Sequence, residues 1–359
     1  MGSGRAGSVR RPASRREPRA VDLFAGCGGL TEGLRQAGFR VVGAIEMDEL
    51  AVECYRLNHP RVRTWTSDIR RVTTAEVLRA LGLRRGELEL LAGCPPCQGF
   101  SSIRTKNGGR CVRDERNGLV SEFLRFVRGL RPRTIMFENV PGLVGRRHFK
   151  RFVGGLKKLG YHVNWSVLDA AEYAVPQRRR RLILLAGNAI AIGFGRRART
   201  KRTTRDAIGA LAHPRRSRDP HHKMAGKRSE RIRHLIALIP KNGGSRTDLA
   251  SRYWLDCHKK RDGFRDVYGR MRWSEVAPTI TAGCVNPSKG RFLHPMHNRA
   301  ITVREAALLQ SFPKSYKFPT GKGAYPVAEL VGNALPPEFV RRHAVGIRRI
   351  LVRQQHHSH

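Results

Sequence analysis

The 359-residue sequence predicts a doubly wound α/β fold, a mostly parallel sheet with helices on its faces, followed by a second, smaller irregular domain. Three observations predict it. Short apolar runs alternate with helix-patterned segments from Ala20 to Gly187, the rhythm of strands joined by crossover helices. Polar or glycine-rich residues follow the apolar runs, as they do where ligands bind beyond the carboxyl ends of parallel strands. After Gly187 the rhythm stops, and the chain becomes rich in Arg, Lys, His, Gly and Pro with scattered aromatics (Phe194, Tyr253, Trp254, Phe264, Tyr268, Trp273, Phe292).

In chain order the strands are AVDLF (20–24), VVGAIE (41–46), a weaker run from Val62 to Trp65, LELLA (88–92), TIMFENV (134–140), HVNWSVL (162–168) and RLILLA (181–186). Between them TEGLRQAG, ELAVECYRLN, TAEVLRALG, LVSEFLRFVRGL and FKRFVGGLKKLG carry helical apolar spacing, several closed by glycine. Helical signal returns in TVREAALLQSF and PPEFVRRHAVGIRRILVRQ, which are expected to pack back on the first domain. The expected division is a basic tail (1–18), an α/β domain (19–187), the irregular domain (188–298), a returning segment (299–351) and a short tail (352–359).

Seventy Lys and Arg stand against 28 Asp and Glu, a net charge of +42 that calls for a polyanionic partner. The seven cysteines are odd in number and irregularly spaced, unlike a secreted disulfide framework, and only Cys94 and Cys97 form a Cys-x-x-Cys pair. No second pair stands at zinc-site spacing, so no metal is expected. No apolar run reaches the ~18 residues of a membrane span and no secretory signal is visible. A soluble, cytoplasmic, monomeric protein is expected.

The chemistry lies at the strand ends. The first strand leads into Ala25-Gly26-Cys27-Gly28-Gly29, a turn that lets a nucleotide approach the backbone, and Glu46 stands ~20 residues on, where an acid meets a ribose. Thr31 occupies the place of the third glycine of the dinucleotide fingerprint, which tilts from a pyrophosphate ligand towards S-adenosylmethionine; Asp68 would then accept from the adenine amine. Cys97 follows two prolines and precedes a polar loop, and from this segment alone a nucleophile, a redox pair with Cys94 and a packed cysteine remain open. Glu138 favours the nucleophile. Cytosine C6 accepts a thiolate only when an acid protonates or hydrogen-bonds N3, and a carboxyl one strand from Cys97 can do so.

These residues resemble the DNA cytosine-5 methyltransferase family, from about residue 20 to the C-terminus. DLFAGCGGL (22–30) is similar to its cofactor motif, GCPPCQGFS (93–101) to its nucleophile motif and ENV (138–140) to its acid motif; PQRRRR (176–181), RAITVREAALLQSFP (299–313) and VGNALPP (331–337) follow in family order. The resemblance implies a Rossmann-like fold binding S-adenosylmethionine through Phe24, Gly26, Gly28, Glu46, Met47, Asp68, Ile69, Pro96, Leu119 and Asn333. It implies Cys97 as nucleophile, Glu138 on N3 and the exocyclic amine, Arg181 on the cytosine O2 and Arg179 steadying the active-site loop. Ser101 and Arg116 would lie near the target phosphate. Residues 188–298 would be the target-recognition domain, with Thr279 and Ile280 in its short Thr-containing element, acting on a cytosine rotated out of duplex DNA. Met47 departs from the pattern, standing where an aromatic residue often faces adenine. The chain resembles stand-alone bacterial or phage members, often partners of restriction enzymes. The rival expectations are a transfer-RNA cytosine-5 methyltransferase, a catalytically silent DNA-binding relative and a Cys94–Cys97 oxidoreductase.

Overall fold

The computed structural model describes residues 17–96, 118–226, 228–256 and 266–357. All seven expected strands form: β1 (Arg19–Leu23), β2 (Arg40–Glu46), β3 (Arg63–Thr66), β4 (Leu90–Gly93), β5 (Thr134–Asn139), β6 (Tyr161–Asp169) and β7 (Arg180–Asn188). They make one sheet in the order β3-β2-β1-β4-β5-β7-β6. The first five strands pair in parallel, while β7 runs antiparallel to both β5 and β6. The order reverses between β1 and β4, so a crevice opens beyond their carboxyl ends.

Helices α1 (Gly29–Gln36), α2 (Glu49–Asn58), α3 (Thr74–Leu81), α4 (Leu119–Leu130) and α5 (Arg147–Lys158) flank this sheet. Side chains that cap their first turns fix several starts: Asp48 accepts from the Ala51 N–H, and Thr73 from that of Glu76. Alternate strand residues face opposite layers. Val21, Leu23, Leu91, Ile135 and Phe137 pack on Phe123 and Phe126 of α4 and on Phe149 and Phe152 of α5. Ala20, Leu90, Ala92 and Met136 pack instead on Leu30 and Leu34 of α1 and on Phe339, Val340 and Ala344 of a long C-terminal helix (Pro337–His357). Phe123, Phe137 and Phe152 have ring centroids 4.7–5.7 Å apart, a cluster worth roughly 1 kcal/mol per pair beyond its buried area.

A third core sits beyond the rim, where Cys27, Ala51 and Cys54 meet Ile280, Val285, Ile301, Ala306, Leu309 and Val331. It joins the α1–α2 side of the sheet to helices α9 (Val303–Leu309) and α10 (Ala324–Asn333), numbered after the short helices α6 (Thr204–Ile208), α7 (Pro220–Lys223) and α8 (Glu230–Leu238). Between 189 and 299 the described residues form no strand. Irregular buried backbone still needs donors for its carbonyls, and Arg270 supplies them: fully buried, it donates to the carbonyls of Ile236, Ile239, His294 and His297 at 2.6–3.1 Å.

Candidate active site

The crevice is bounded first by the loop after β1. Phe24 adopts φ 60°, a left-handed conformation that a bulky side chain reaches only under constraint from its surroundings. The loop is held by Glu46 at the end of β2, whose Oε2 accepts from the Gly26 N–H at 2.8 Å while Oε1 accepts from the N–H groups of Met47 and Asp48 at 2.8 and 2.9 Å. One carboxylate thus fixes two loops and keeps lone pairs to spare. A Cβ on Gly26 would meet nothing within 4 Å, so open space lies beside that backbone. Gly28 is needed for a different reason: its φ is 92°, and a Cβ there would come within 2.6 Å of the Tyr316 hydroxyl.

Beneath this loop lies a group to which no role was assigned from sequence. Asp22 on β1 is fully buried; Oδ2 accepts from the Thr31 hydroxyl at 2.7 Å, which also bonds the Tyr55 hydroxyl at 2.9 Å, and Oδ1 has no partner among the described residues. Burial, with a smaller contribution from the nearby Glu46 charge, pushes its carboxyl up to about 7. Thr31 therefore stands where a third glycine is absent because its hydroxyl satisfies buried groups. Asp22 lay inside the quoted DLFAGCGGL run, but nothing in the sequence marks it as buried beside a threonine.

Met47 projects 65% of its surface outward beyond Glu46. Asp68 is half-buried two residues past β3 and accepts from the Arg70 N–H at 2.9 Å. Ile69 is buried, and Arg125 of α4 donates to its carbonyl at 2.7 Å, which ties this segment to the helix that Leu119 begins.

The second wall is built at β4, β5 and β7. Glu138 is 8% exposed, and Arg181 Nε lies 2.9 Å from its Oε1. Sheet register explains the pairing: Glu138 is opposite Ile183, so Arg181, two residues along, is its diagonal neighbour on the same face. Ala92 is level with Met136, which places Cys94 level with Glu138 on that face. Burial first, and Glu138 second, push the Cys94 thiol well up, so Cys94 is an uncharged packing group. Asn139 donates to the Pro95 carbonyl at 2.9 Å and holds the Cys94-Pro95-Pro96 turn against the end of β5; Pro96 itself is exposed. Cys97, Ser101 and Arg116 lie outside the described residues.

Arg179 does not offer its guanidinium at the surface. It is buried, and its Nη1 donates to the carbonyls of Ile280 and Gly332 at 3.0 and 3.1 Å. Burial first, then the Arg181 charge, lower it to about 9, which leaves it a cation at neutral pH. Two glutamines complete the junction. Gln177 accepts from the Ile280 N–H at 2.7 Å and donates to Gln310 Oε1 at 2.6 Å, and Gln310 donates onward to the Val331 carbonyl at 2.6 Å. Gly332 has no room for a side chain: a Cβ would lie 2.2 Å from the Thr281 carbonyl carbon. Asn333 follows it, exposed at the end of α10. Both glutamines sat in quoted motifs, yet no role was read for either as a backbone clamp: the partners of Gln177 lie 103 and 133 residues away, and those of Gln310 are 21 and 133 residues away on other elements.

Ile280 is fully buried in the third core, and its backbone anchors Gln177 and Arg179. Thr279 is half-buried and donates its hydroxyl to the Arg178 carbonyl at 2.6 Å. The described residues thus bring together Gly26 with Glu46 and Met47, Pro95 with Asn139, Glu138 with Arg181, and Arg179 with the turn that carries Asn333.

A sheet that reverses order at a crevice, with a glycine turn and carboxylate on one side and an acid–arginine pair on the other, is the architecture of a Rossmann-like α/β enzyme with its ligand crevice at the switch point. The fold is similar to that of a DNA modification methyltransferase encoded within an E. coli prophage, with TM-score 0.68 at 23% identity, covering 93% of this chain and 99% of that one. The S. pombe Dnmt2 methyltransferase is similar too, with TM-score 0.62 at 19% identity over 94% and 99% of the chains. The family model for C-5 cytosine-specific DNA methylases matches residues 19–349, and the chain belongs to that family: it is a DNA cytosine-5 methyltransferase. Among curated relatives, Type II methylase M.HgiDII of Herpetosiphon aurantiacus is 38% identical over 92% of this chain and 95% of its own length. Type II methyltransferase M.XorII of Xanthomonas oryzae pv. oryzae is 32% identical over 92% and 84%.

Proposed function

We propose that this enzyme methylates C5 of a cytosine turned out of duplex DNA, with Cys97 as nucleophile and Glu138 as the acid on N3. The observation that carries the reading is Glu138, held by Arg181 at 2.9 Å beside the turn that leads into Cys97. Addition of the Cys97 sulfur to C6 forms a C–S bond and moves an electron pair through the ring towards N3, where Glu138 delivers a proton. C5 is then nucleophilic. After C5 has gained its methyl, loss of the C5 proton restores the double bond and expels the thiolate, and the N3 proton returns. Arg181 orients Glu138 and faces the O2 edge, whereas Arg179 acts through the backbone of Gly332 and Ile280 as a positioning residue.

S-adenosylmethionine would supply an electrophilic methyl on a sulfonium sulfur. The residues fit it: open space beside Gly26, the Glu46 carboxylate at the second strand end, the exposed apolar Met47 and the Asp68 carboxylate offer backbone approach, ribose acceptors, a face for adenine and an amine acceptor. Phe24, Gly28, Ile69, Pro96, Leu119 and Asn333 complete the proposed pocket. Residues 188–298 serve as the target-recognition domain, with Thr279 at its junction with the catalytic side and Ser101 and Arg116 near the target phosphate.

Its relatives carry Type II names, which supports pairing with a restriction endonuclease. Among the described residues no helix is long and apolar enough to cross a membrane; we place the enzyme in the cytoplasm as a monomer. The test is covalent capture. Duplex carrying 5-fluorocytosine at the target, incubated with S-adenosylmethionine, is expected to attach to wild-type protein and not to Cys97→Ala. An adduct that persists in Cys97→Ala overturns the assignment, and methyl transfer confined to transfer RNA overturns the substrate.

A further inference from the structure

Helix α5 carries charge that its own stability does not explain. Helices α1 to α4 each hold an acid in the first turn, Glu32, Glu49, Glu76 and Glu122, where the helix dipole favours negative charge. Helix α5 has none: it starts with Arg147 after an Arg146 that makes no side-chain cap, and Lys150 and Arg151 follow within its first turns. Arg147, Lys150 and Arg151, with Lys157 and Lys158 further along, are exposed and have no carboxylate partner among the described residues. Cations crowded at a helix N-terminus repel both the dipole and each other.

The same surface exposes an indole. Strand β6 is the sheet's edge, and Trp165 on it is 42% exposed, packed edge-on against Phe149 of α5 with ring centroids 5.3 Å apart. Trp165 pairs with Leu184, which pairs with Phe137, so the indole lies one residue below the level of Glu138 but on the opposite face of the sheet, the face that α5 covers. Helix α5 begins a few residues past the end of β5, so the strip starts at the rim of the active site and runs away along the sheet edge.

From this we infer that α5 and the β6 edge form a second nucleic-acid surface, a track for duplex DNA flanking the target. Its cations would meet backbone phosphates, and Trp165 would lie against the sugars between them. Charge complementarity and continuity with the active-site rim select the partner. Phosphate contacts carry no sequence information, so the track holds the enzyme on DNA without reading it. This uses part of the +42 charge that a single target footprint leaves over. The inference rests on the duplex-DNA reading above.

The test compares wild type with the triple variant Arg147→Gln, Lys150→Gln, Arg151→Gln. Removing cations from a helix start relieves the dipole, so the variant is expected to melt at the same temperature or higher, and a loss of binding is then not a folding failure. Binding to mixed-sequence duplexes of about 12 and about 60 base pairs is measured across a potassium chloride series. For the longer duplex the slope of log affinity against log salt should fall by about 2 to 3, at roughly 0.9 per lost phosphate contact, and affinity at about 0.1 M salt should drop by roughly a hundredfold or more. Binding to the short duplex and methyl incorporation at saturating DNA should stay within about twofold of wild type. An unchanged slope on the longer duplex overturns the track, as does a loss confined to duplex RNA of equal length. Wild type that binds the longer duplex through these residues but transfers no methyl would overturn the reaction while supporting the track.

Discussion

The two walls of the crevice are built by opposite means. On the proposed cofactor side one carboxylate, Glu46, gathers three backbone N–H groups from residues one, two and twenty positions away. On the base side, Arg179, Gln177 and Gln310 tie together carbonyls and amides from three stretches of chain, with separations up to 153 residues. The first wall is local and sits on the sheet. The second exists only once the irregular domain and the returning helices have docked. A break at the Glu46 carboxylate should therefore weaken cofactor binding with little effect elsewhere, whereas damage to the second wall should reach stability, target and cofactor together.

The largest expected effect probes the buried centre of the cofactor side. Asp22 is held near 7, above its unfolded value of 3.8, so between those values the folded state binds more protons than the unfolded state, and stability falls as pH rises from about 4 to about 7. The fall is on the order of 4 kcal/mol at 1.36 per unit. Asp22→Asn, which cannot ionise, should flatten that decline in urea melts taken from pH 4 to 8; an unchanged pH slope would show that Asp22 is ionised in the fold.

Next is Arg179→Ala, which strips the donor from the Ile280 and Gly332 carbonyls and should cost about 3 kcal/mol or more of stability. Because Gly332 precedes Asn333, the KM for S-adenosylmethionine should rise along with the loss of kcat. A kcat loss with cofactor KM untouched would separate the two walls and sink the coupling. Gln177→Ala and Gln310→Ala should each cost about 2 kcal/mol, and their double variant less than the sum, since both break one junction; strict additivity would argue against it. The smallest effect is Glu46→Gln, which keeps one acceptor for the loop and should raise the cofactor KM about tenfold with little change in kcat or in melting.

The same contrast explains what the sequence made legible. The seven strands and the helices of the α/β region were readable because periodicity and glycine punctuation are local signals, and Glu46 and Glu138 were readable because each ends an apolar run. The antiparallel β7 was not, although it creates the Glu138–Arg181 pair, since strand direction depends on a pairing between distant segments. The burial of Ile280 was not legible for a related reason: an apolar residue beside a threonine in an irregular stretch gives no sign of which core will absorb it. Arg179 could be counted among active-site arginines, but not recognised as the one whose work is done on carbonyls.

The packing of the last helices against the first has a consequence for the enzyme's birth. Tyr316 donates to the Cys27 carbonyl at 2.6 Å, Cys27 reaches the Leu330 carbonyl across 303 residues, and Leu30 and Leu34 of α1 rest on Phe339, Val340 and Ala344. A nascent chain emerging from the ribosome can assemble most of its sheet, yet its cofactor turn has no backing until residues beyond 316 follow. Competence to modify DNA is therefore expected late in synthesis, because a chain that stops short of α10 lacks both the backing of that turn and the helix that covers one face of the sheet.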